Sequence, residues 1–176
     1  MEQLKYPIGK LIIPDHISGR EIENWISDIE NFPKRLESIV KNLSEEQLNT
    51  PYRNGGWTVR QVVHHCGDSH VHSYIRFKWT LTENLPTIKA YYEDRWAELF
   101  DTKDAPIEIS LNFIKALHAK WVYLLKGLSI DDLNKEFIHP ESGETVSLKK
   151  NIAIYAWHCN HHYAHIENLL IRNHWI

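Results

Sequence analysis

The sequence has few of the residues that define several large protein classes. It contains only two cysteines, Cys66 and Cys159, and they occur in no C-x-x-C pair. Two thiols cannot form the disulfide framework of a small secreted protein. No apolar run approaches the ~20 residues that cross a bilayer, and the first residues contain no apolar signal core. We therefore expect a cytoplasmic protein with reduced thiols and no membrane contact.

An excess of basic residues is also absent. Lysine and arginine number 20 and aspartate and glutamate 23, so the formal net charge is −3. A surface that binds nucleic acid neutralises phosphates with lysine and arginine, so we expect no nucleic-acid partner. Hydrophobic residues make up 43% of the 176 residues, which excludes a disordered chain. The length suits one domain, residues 1–176, with a single core.

Four long segments repeat apolar residues at helical spacing, which predicts an all-α fold, an antiparallel four-helix bundle. Pro33 lies inside the first segment and predicts a kink or a restart of that helix. Short extra helices are expected after Ser44, within 85–108 and near 130, and a small β-hairpin is expected within 136–147. The four long helices are expected at 18–40, 58–82, 110–128 and 147–173.

Histidine, by contrast, is abundant: there are 12, and four of them lie within residues 158–165. On a helix His158 and His162 face the core one turn apart, so their imidazoles can converge on one ion, whereas His161 points away. On the second helix His65 borders the core and His64 faces solvent. We predict one divalent metal per chain, Zn²⁺ as the first choice, on His65, His158 and His162. Three nitrogens and an open position are typical of catalytic zinc, although nickel, cobalt and ferrous iron also accept imidazole.

Each of these histidines also has a structural explanation, because a histidine at the edge of a core is more often a hydrogen-bonded packing residue. His70 and His118 are interpreted in that way, and Cys66 and Cys159 as small apolar fillers. His165 has three interpretations: an acid or base, a residue that supports the ligands, or a residue of the rim. The candidate catalytic residues are therefore His165 and, from its charge, Arg53.

Charged residues near the second helix suggest how a charged substrate could be held. Arg53 and Arg60 flank the start of that helix, and Arg76 shares the face of His65, although each could equally be a solvated surface charge. Asp68, one turn from His65, could orient its imidazole or could simply be exposed.

The spacing His158-x-x-x-His162 is that of a metallopeptidase helix, but one essential residue differs. Cys159 stands where such peptidases carry the glutamate that acts as general base. Peptide hydrolysis by that route is therefore not expected.

Several longer motifs resemble a known family. Residues 51–65, Pro-Tyr-Arg-Asn-Gly-Gly-Trp-Thr-Val-Arg-Gln-Val-Val-His-His, resemble the YfiT branch of the DinB-like superfamily. Residues 73–78, the block 155–165 and the early Tyr-Pro-Ile-Gly at 6–9 match the same branch. The resemblance covers essentially the whole chain. It implies a four-helix bundle, a zinc or nickel ion held by His65, His158 and His162, and a cytoplasmic homodimer.

The resemblance also implies a metal-dependent enzyme with a small-molecule substrate. The branch is described as hydrolytic, and the wider superfamily includes transferases of low-molecular-weight thiols such as bacillithiol. An open metal position could activate either a water or a thiol, so the ligands alone leave hydrolase and S-transferase open. A noncatalytic metal-binding or stress-sensing bundle is the alternative from another class. Cys66 and Cys159 depart from the pattern, because other residues are usual at those places beside the ligands.

Overall fold

The computed structural model describes residues 2–176. Its α-helices and β-strands, in chain order, are α1 (Glu2–Lys5), α2 (Gly19–Val40), α3 (Glu45–Leu48), α4 (Val59–Thr82), α5 (Glu93–Trp96), α6 (Phe100–Asp104), α7 (Ile107–Lys126), α8 (Ile130–Asn134), β1 (Glu136–Ile138), β2 (Thr145–Ser147) and α9 (Leu148–Arg172). Among these residues, no helix combines the length and the apolar character that a membrane crossing requires.

The four long helices form the predicted bundle, which is confirmed together with its short extra helices and its hairpin. Helix α2 packs against α7 and α9, and α4 packs against the same two helices, so α2 and α4 lie on a diagonal. One continuous core fills the space between them. Its largest fully buried side chains include Trp121, Phe32 and Phe77. Burying such apolar surface supplies the main driving force for folding.

Helix α2 passes through Pro33 without a break, so the restart considered from the sequence does not occur. Proline has no N–H and cannot donate to the carbonyl of Ile29 four residues earlier. The flanking side chains Ile29 and Phe32 are fully buried in the core, and this packing keeps the segment helical. The carbonyl of Ile29 instead accepts a hydrogen bond from His118 on α7, at 2.7 Å.

Two helix predictions differ from the structure in detail. Helix α7 begins at Ile107, three residues before the expected start, with Pro106 at the position before its first turn. Proline is tolerated at this capping position because its missing N–H would have no helical carbonyl to bind. Residues 85–108 contain two short helices, α5 and α6, instead of one.

The hairpin packs against two of the long helices, α4 and α9. Strands β1 and β2 are antiparallel, with Phe137 opposite Val146, and Phe137 is buried. The chain before α5 continues this small sheet, because the backbone of Ile88 donates to the carbonyl of Ile138 at 3.1 Å. The hairpin and residues 86–93 thereby form a wall beside α4 and α9.

The N-terminal cap of α2 offers a test of this account. The hydroxyl of Ser18 accepts from the backbone N–H of Glu21 at 3.3 Å, and the Glu21 carboxylate accepts from the backbone N–H of Ser18 at 2.7 Å. We expect Ser18→Ala to lower the free energy of unfolding by about 1 kcal/mol in urea denaturation. Ser38→Ala, on the exposed last turn of the same helix, is the control and should leave it within about 0.5 kcal/mol. Equal effects of the two variants would contradict the capping assignment.

Candidate metal centre

Three histidine side chains from two helices meet at one point of the bundle. His65 lies on α4, and His158 and His162 lie one turn apart on α9. Each offers a ring nitrogen, and the three nitrogens lie within 4.8 Å of one another. The Nε2 atoms of His65 and His158 are 3.3 Å apart. The structure therefore brings together the three residues that the sequence selected.

The donor set fits a divalent transition metal. Two imidazole nitrogens at zinc–nitrogen distances of about 2.0–2.1 Å and a tetrahedral angle are about 3.3 Å apart, which matches the His65–His158 distance. Within residues 2–176, no carboxylate or thiol joins this group. Three nitrogen donors without a fourth protein ligand are the pattern of a catalytic zinc site.

Burial keeps these imidazoles uncharged, as a metal ligand must be. Burial, followed by the charge of His161, lowers the pKa of His65 to about 3. The pKa values of His158 and His162 are also well below the usual value, first because of burial and then because of the neighbouring imidazoles. The Nδ1 atom of His162 is buried and has no hydrogen-bond partner among the described residues. At neutral pH the cluster therefore presents lone pairs and has no compensating negative charge.

The cluster opens onto a cavity of about 380 Å³. The walls come from α4, α9, the segment before α5 and the turn of the hairpin. Ser69 and Tyr155 lie beside the ligands, and the Ser69 hydroxyl is 3.4 Å from Nε2 of His158. The side chains of Glu93 and Glu141 are exposed at the rim. The volume is that of a small-molecule pocket.

Comparisons with known proteins identify the family. The sequence profile of the DinB superfamily (DinB_2) matches residues 28–166. The chain belongs to the DinB superfamily. A Bacillus cereus protein named "Putative metal-dependent hydrolase" is 52% identical over 175 residues, covering 99% of this chain and 100% of its own length. A Bacillus anthracis protein of the same name is 51% identical with the same coverage.

A solved structure agrees with this assignment. YfiT from Bacillus subtilis, described as a probable metal-dependent hydrolase with an unusual four-helix bundle topology, superposes with a TM-score of 0.96. The identity is 44%, and the superposition covers 99% of each chain. The predicted resemblance to the YfiT branch is confirmed. These names and the histidine cluster together point to a divalent metal.

Two histidines that were expected to face solvent are buried. His64 is 6% exposed, with Nδ1 2.7 Å from the Ser110 hydroxyl and Nε2 3.1 Å from the carbonyl of Ala105. His161 is 8% exposed and stacks on Trp157 at 4.3 Å between ring centroids. The expectation was wrong because the apolar period of one helix does not show how far a neighbouring segment extends around it. The start of α7 and the residues just before it cover His64, and the N-terminal segment lies against His161.

The candidate catalytic residues His165 and Arg53 line a neighbouring cavity of about 340 Å³ instead of the one in front of the cluster. His165 donates through Nε2 to the carbonyl of Lys5 at 3.2 Å, and it stacks on Tyr52 at 4.0 Å. The Arg53 guanidinium lies 5.4 Å from the centre of the Tyr52 ring. The two cavities share His162 among their lining residues, so both candidates lie near the cluster without facing it.

The other two arginines have different environments. Arg60 is 3% exposed, pairs with Glu45 and donates to the carbonyl of Ala105 at 2.8 Å. The guanidinium of Arg60 therefore has partners within the protein, and it links α4 to α3 and to the segment before α7. Arg76 lines the cavity of the histidine cluster. Its Nε atom is buried and has no partner among residues 2–176, which leaves a guanidinium available for a ligand.

Asp68 does not orient His65, because no hydrogen bond joins them among the described residues. Its backbone carbonyl accepts from Nδ1 of His72 at 2.6 Å. Burial, with a smaller contribution from the charge of Asp101, raises the pKa of the Asp68 carboxyl to about 6.

Sequence reasoning missed the role of His70 and His118. Both are buried, as expected of structural residues, but Nε2 of His70 lies 3.1 Å from Nδ1 of His158. His118 in turn lies 2.8 Å from His70. The hydrogen bonds of a predicted ligand therefore continue through two further imidazoles into the core. The available signal was Pro33, since a proline inside a helix leaves a carbonyl free for another donor.

The two cysteines are fully buried, and burial raises the pKa of both thiols. Both environments fit the interpretation as apolar fillers.

Variants of the histidines test the ligand assignment. We expect His158→Ala or His162→Ala to abolish stoichiometric zinc binding, measured by elemental analysis and chelator competition, because two nitrogens hold a zinc ion poorly. His161→Ala and His64→Ala are matched controls from the neighbouring positions and should retain nearly full binding. If His161→Ala empties the site as completely as His162→Ala, the assignment of ligands on α9 is wrong.

The metal-free protein should lose stability as the pH falls. Burial lowers the pKa of His118 and of His165 to about 4, whereas an unfolded histidine titrates near about 6.5. Between these pH values the unfolded chain binds more protons, so the free energy of unfolding decreases toward lower pH. The largest contribution is about 1.4 kcal/mol per pH unit for each such histidine.

Urea denaturation of the metal-free protein at about pH 7 and about pH 5 measures this slope. The variant His118→Gln should show a shallower slope, because it removes one of the titrating groups. Equal stability at the two pH values would show that the histidines are not held neutral.

Proposed function

We propose that this protein is a zinc-dependent hydrolase that acts on a small substrate with an anionic group. The single observation that carries the proposal is the cluster of three uncharged imidazoles, with nitrogens within 4.8 Å of one another, at the base of a cavity of about 380 Å³. The names of the Bacillus relatives support a metal-dependent hydrolytic activity. The proposed ligands are His65, His158 and His162.

A bound zinc ion supplies Lewis-acid chemistry, since it favours the deprotonated form of a water or thiol and polarises a carbonyl. The residues of the chain then have separate tasks. His161 faces the same cavity and is neutral, because burial lowers its pKa to about 4, so one ring nitrogen can accept a hydrogen bond from a water or substrate. The hydroxyl of Tyr91 also lines the cavity, and burial raises its pKa, so it stays protonated and can donate.

Arg76 supports an anionic substrate. Its guanidinium borders the cavity and forms no ion pair in the part of the chain that the structure describes, while its Nε is buried. A carboxylate or phosphate of the substrate would pair with the terminal guanidinium nitrogens, which make strong hydrogen bonds to such anions. Glu93 and Glu141 lie at the exposed rim of the cavity, whereas Arg76 is partly buried, so the guanidinium is the less exposed of these charges.

A thiol S-transferase is the second candidate, and the space beside the cluster favours it. A second cavity of about 340 Å³, lined by Arg53, adjoins the first and shares His161 and His162 with it. A transferase needs room for two substrates, whereas a hydrolase needs room for one and a water.

An activity comparison separates these reactions. The zinc-loaded protein should hydrolyse a carboxylate-bearing ester, lose that activity with chelator and regain it with zinc. Zinc-dependent loss of a cellular thiol with monochlorobimane, without ester hydrolysis, would select the transferase. Tight metal binding with neither activity would favour the noncatalytic sensor.

Arg76 gives a more specific test of the substrate class. We expect Arg76→Gln to raise KM for the carboxylate-bearing ester by about tenfold or more, the value of a hydrogen bond to a charged group, with little change for a neutral ester. Arg95→Gln is the matched control, because Arg95 is exposed and stacks on Tyr92 outside the cavity. An equal loss on both esters would contradict the role of Arg76 in anion binding.

The homodimer implied by the family resemblance stays a prediction. Light scattering on the purified protein tests it directly.

A further inference from the structure

Behind the ligand His158, a row of hydrogen bonds runs through the centre of the bundle. Nδ1 of His158 is 3.1 Å from Nε2 of His70. Nδ1 of His70 is 2.8 Å from Nε2 of His118. Nδ1 of His118 is 2.7 Å from the carbonyl oxygen of Ile29. Each imidazole thus uses Nδ1 toward the interior and Nε2 toward the metal centre.

The far end of this row is a carbonyl that the sequence leaves free. Ile29 lies four residues before Pro33 on α2, and proline has no N–H with which to close the helical hydrogen bond to that carbonyl. A carbonyl oxygen can only accept. Nδ1 of His118 therefore carries a proton and donates it to the carbonyl of Ile29.

This fixed end determines the proton positions on all three rings. A neutral imidazole has one donor and one acceptor nitrogen. With its proton on Nδ1, His118 accepts at Nε2, so His70 must donate through its own Nδ1. His70 then accepts at Nε2, so His158 must donate through Nδ1. Nε2 of His158 is left as a lone pair, 3.3 Å from Nε2 of His65.

The surroundings support neutral rings, which this reasoning requires. Phe32 packs on His70 and on His118, at 5.3 and 5.7 Å between ring centroids. Trp121 lies against both rings as well, at 6.1 and 5.6 Å. No carboxylate among the described residues hydrogen-bonds to either ring, and a buried charge without a partner is costly. The thiol of Cys159, 3.9 Å from Nε2 of His70, is a more distant partner than His158.

We propose that His118 and His70 are positioning residues. The carbonyl of Ile29 fixes the direction of the hydrogen bonds along the row, and the two rings thereby hold His158 in the tautomer that binds a metal through Nε2. This inference rests on the proposed metal site. Among residues 2–176, His158 is the one ligand of the three with a hydrogen-bond partner on the nitrogen that faces away from the cluster. The row ends on a carbonyl, which takes up no proton, so it orients a ring and does not conduct protons.

The first experiment observes the tautomers without any metal. Long-range ¹⁵N–¹H correlation spectra of the metal-free protein distinguish protonated from unprotonated ring nitrogens. We expect His118, His70 and His158 each to carry the proton on Nδ1. A proton on Nε2 of His158 in the wild-type protein would overturn the proposal, whatever the protein does with zinc.

The second experiment measures zinc affinity by chelator competition in matched variants. His118→Leu keeps the volume and removes the acceptor for His70, and we expect a loss of about tenfold to a hundredfold, as for other supporting residues of metal sites. His118→Gln retains an oxygen that can accept from His70, so it should stay within about threefold of wild type. His64→Leu is the control, because it also loses a carbonyl partner at a buried site that does not reach a ligand.

The outcomes separate this proposal from the proposed function. If the wild-type protein binds no zinc, the proposed metal site is wrong. The tautomer spectra still test the directions of the hydrogen bonds independently of that result. Zinc affinity in His118→Leu equal to wild type, or an equal loss in His64→Leu, would overturn the positioning role. If His118→Leu does not fold, His70→Gln and His70→Leu give the same comparison one ring closer to His158, with the same expected order.

Discussion

The burial of imidazoles without a countercharge is the constraint on which this structure depends. His65 and His158 direct nitrogen atoms at each other across 3.3 Å in an environment that opposes charging either ring. Two lone pairs at that distance repel, so either one neutral ring donates its own proton to the other or a cation lies between them. Burial opposes an additional proton, because that proton would charge a ring, whereas a divalent metal can use both lone pairs. The site thus suits a metal better than a charged imidazolium.

All four long helices contribute to holding this point. Helices α4 and α9 carry the three proposed ligands, α7 carries His118 and α2 contributes the carbonyl of Ile29. A polar row through a core is stabilising only if every member finds its partner. Here the last donor is satisfied by a backbone acceptor that Pro33 leaves free. A residue that weakens a helix locally therefore completes a network that crosses the bundle.

The sequence predicted the elements whose signals are local and periodic. The four long helices and the core-facing positions of His65, His158 and His162 follow from helical spacing. The burial of His64 could not be predicted in that way, because the segment that covers it is held by contacts distant in sequence. The link between His70 and His158 depends on the pairing of α4 with α9 and on side-chain directions. Periodicity assigns a residue to the core but does not choose its hydrogen-bond partner.

The ligands alone do not decide the reaction, since three neutral imidazoles activate a water and a thiol by the same effect. What differs between the two reactions is the space and the charge around the cluster. Arg76 and its cavity suffice for one anionic substrate and a water. The adjoining cavity at Arg53 becomes necessary only if a second organic molecule must approach the same centre. Under this proposal Arg76 on α4 and the short segment that carries Arg53 select the substrate, while the ligands and their supporting imidazoles supply the metal site.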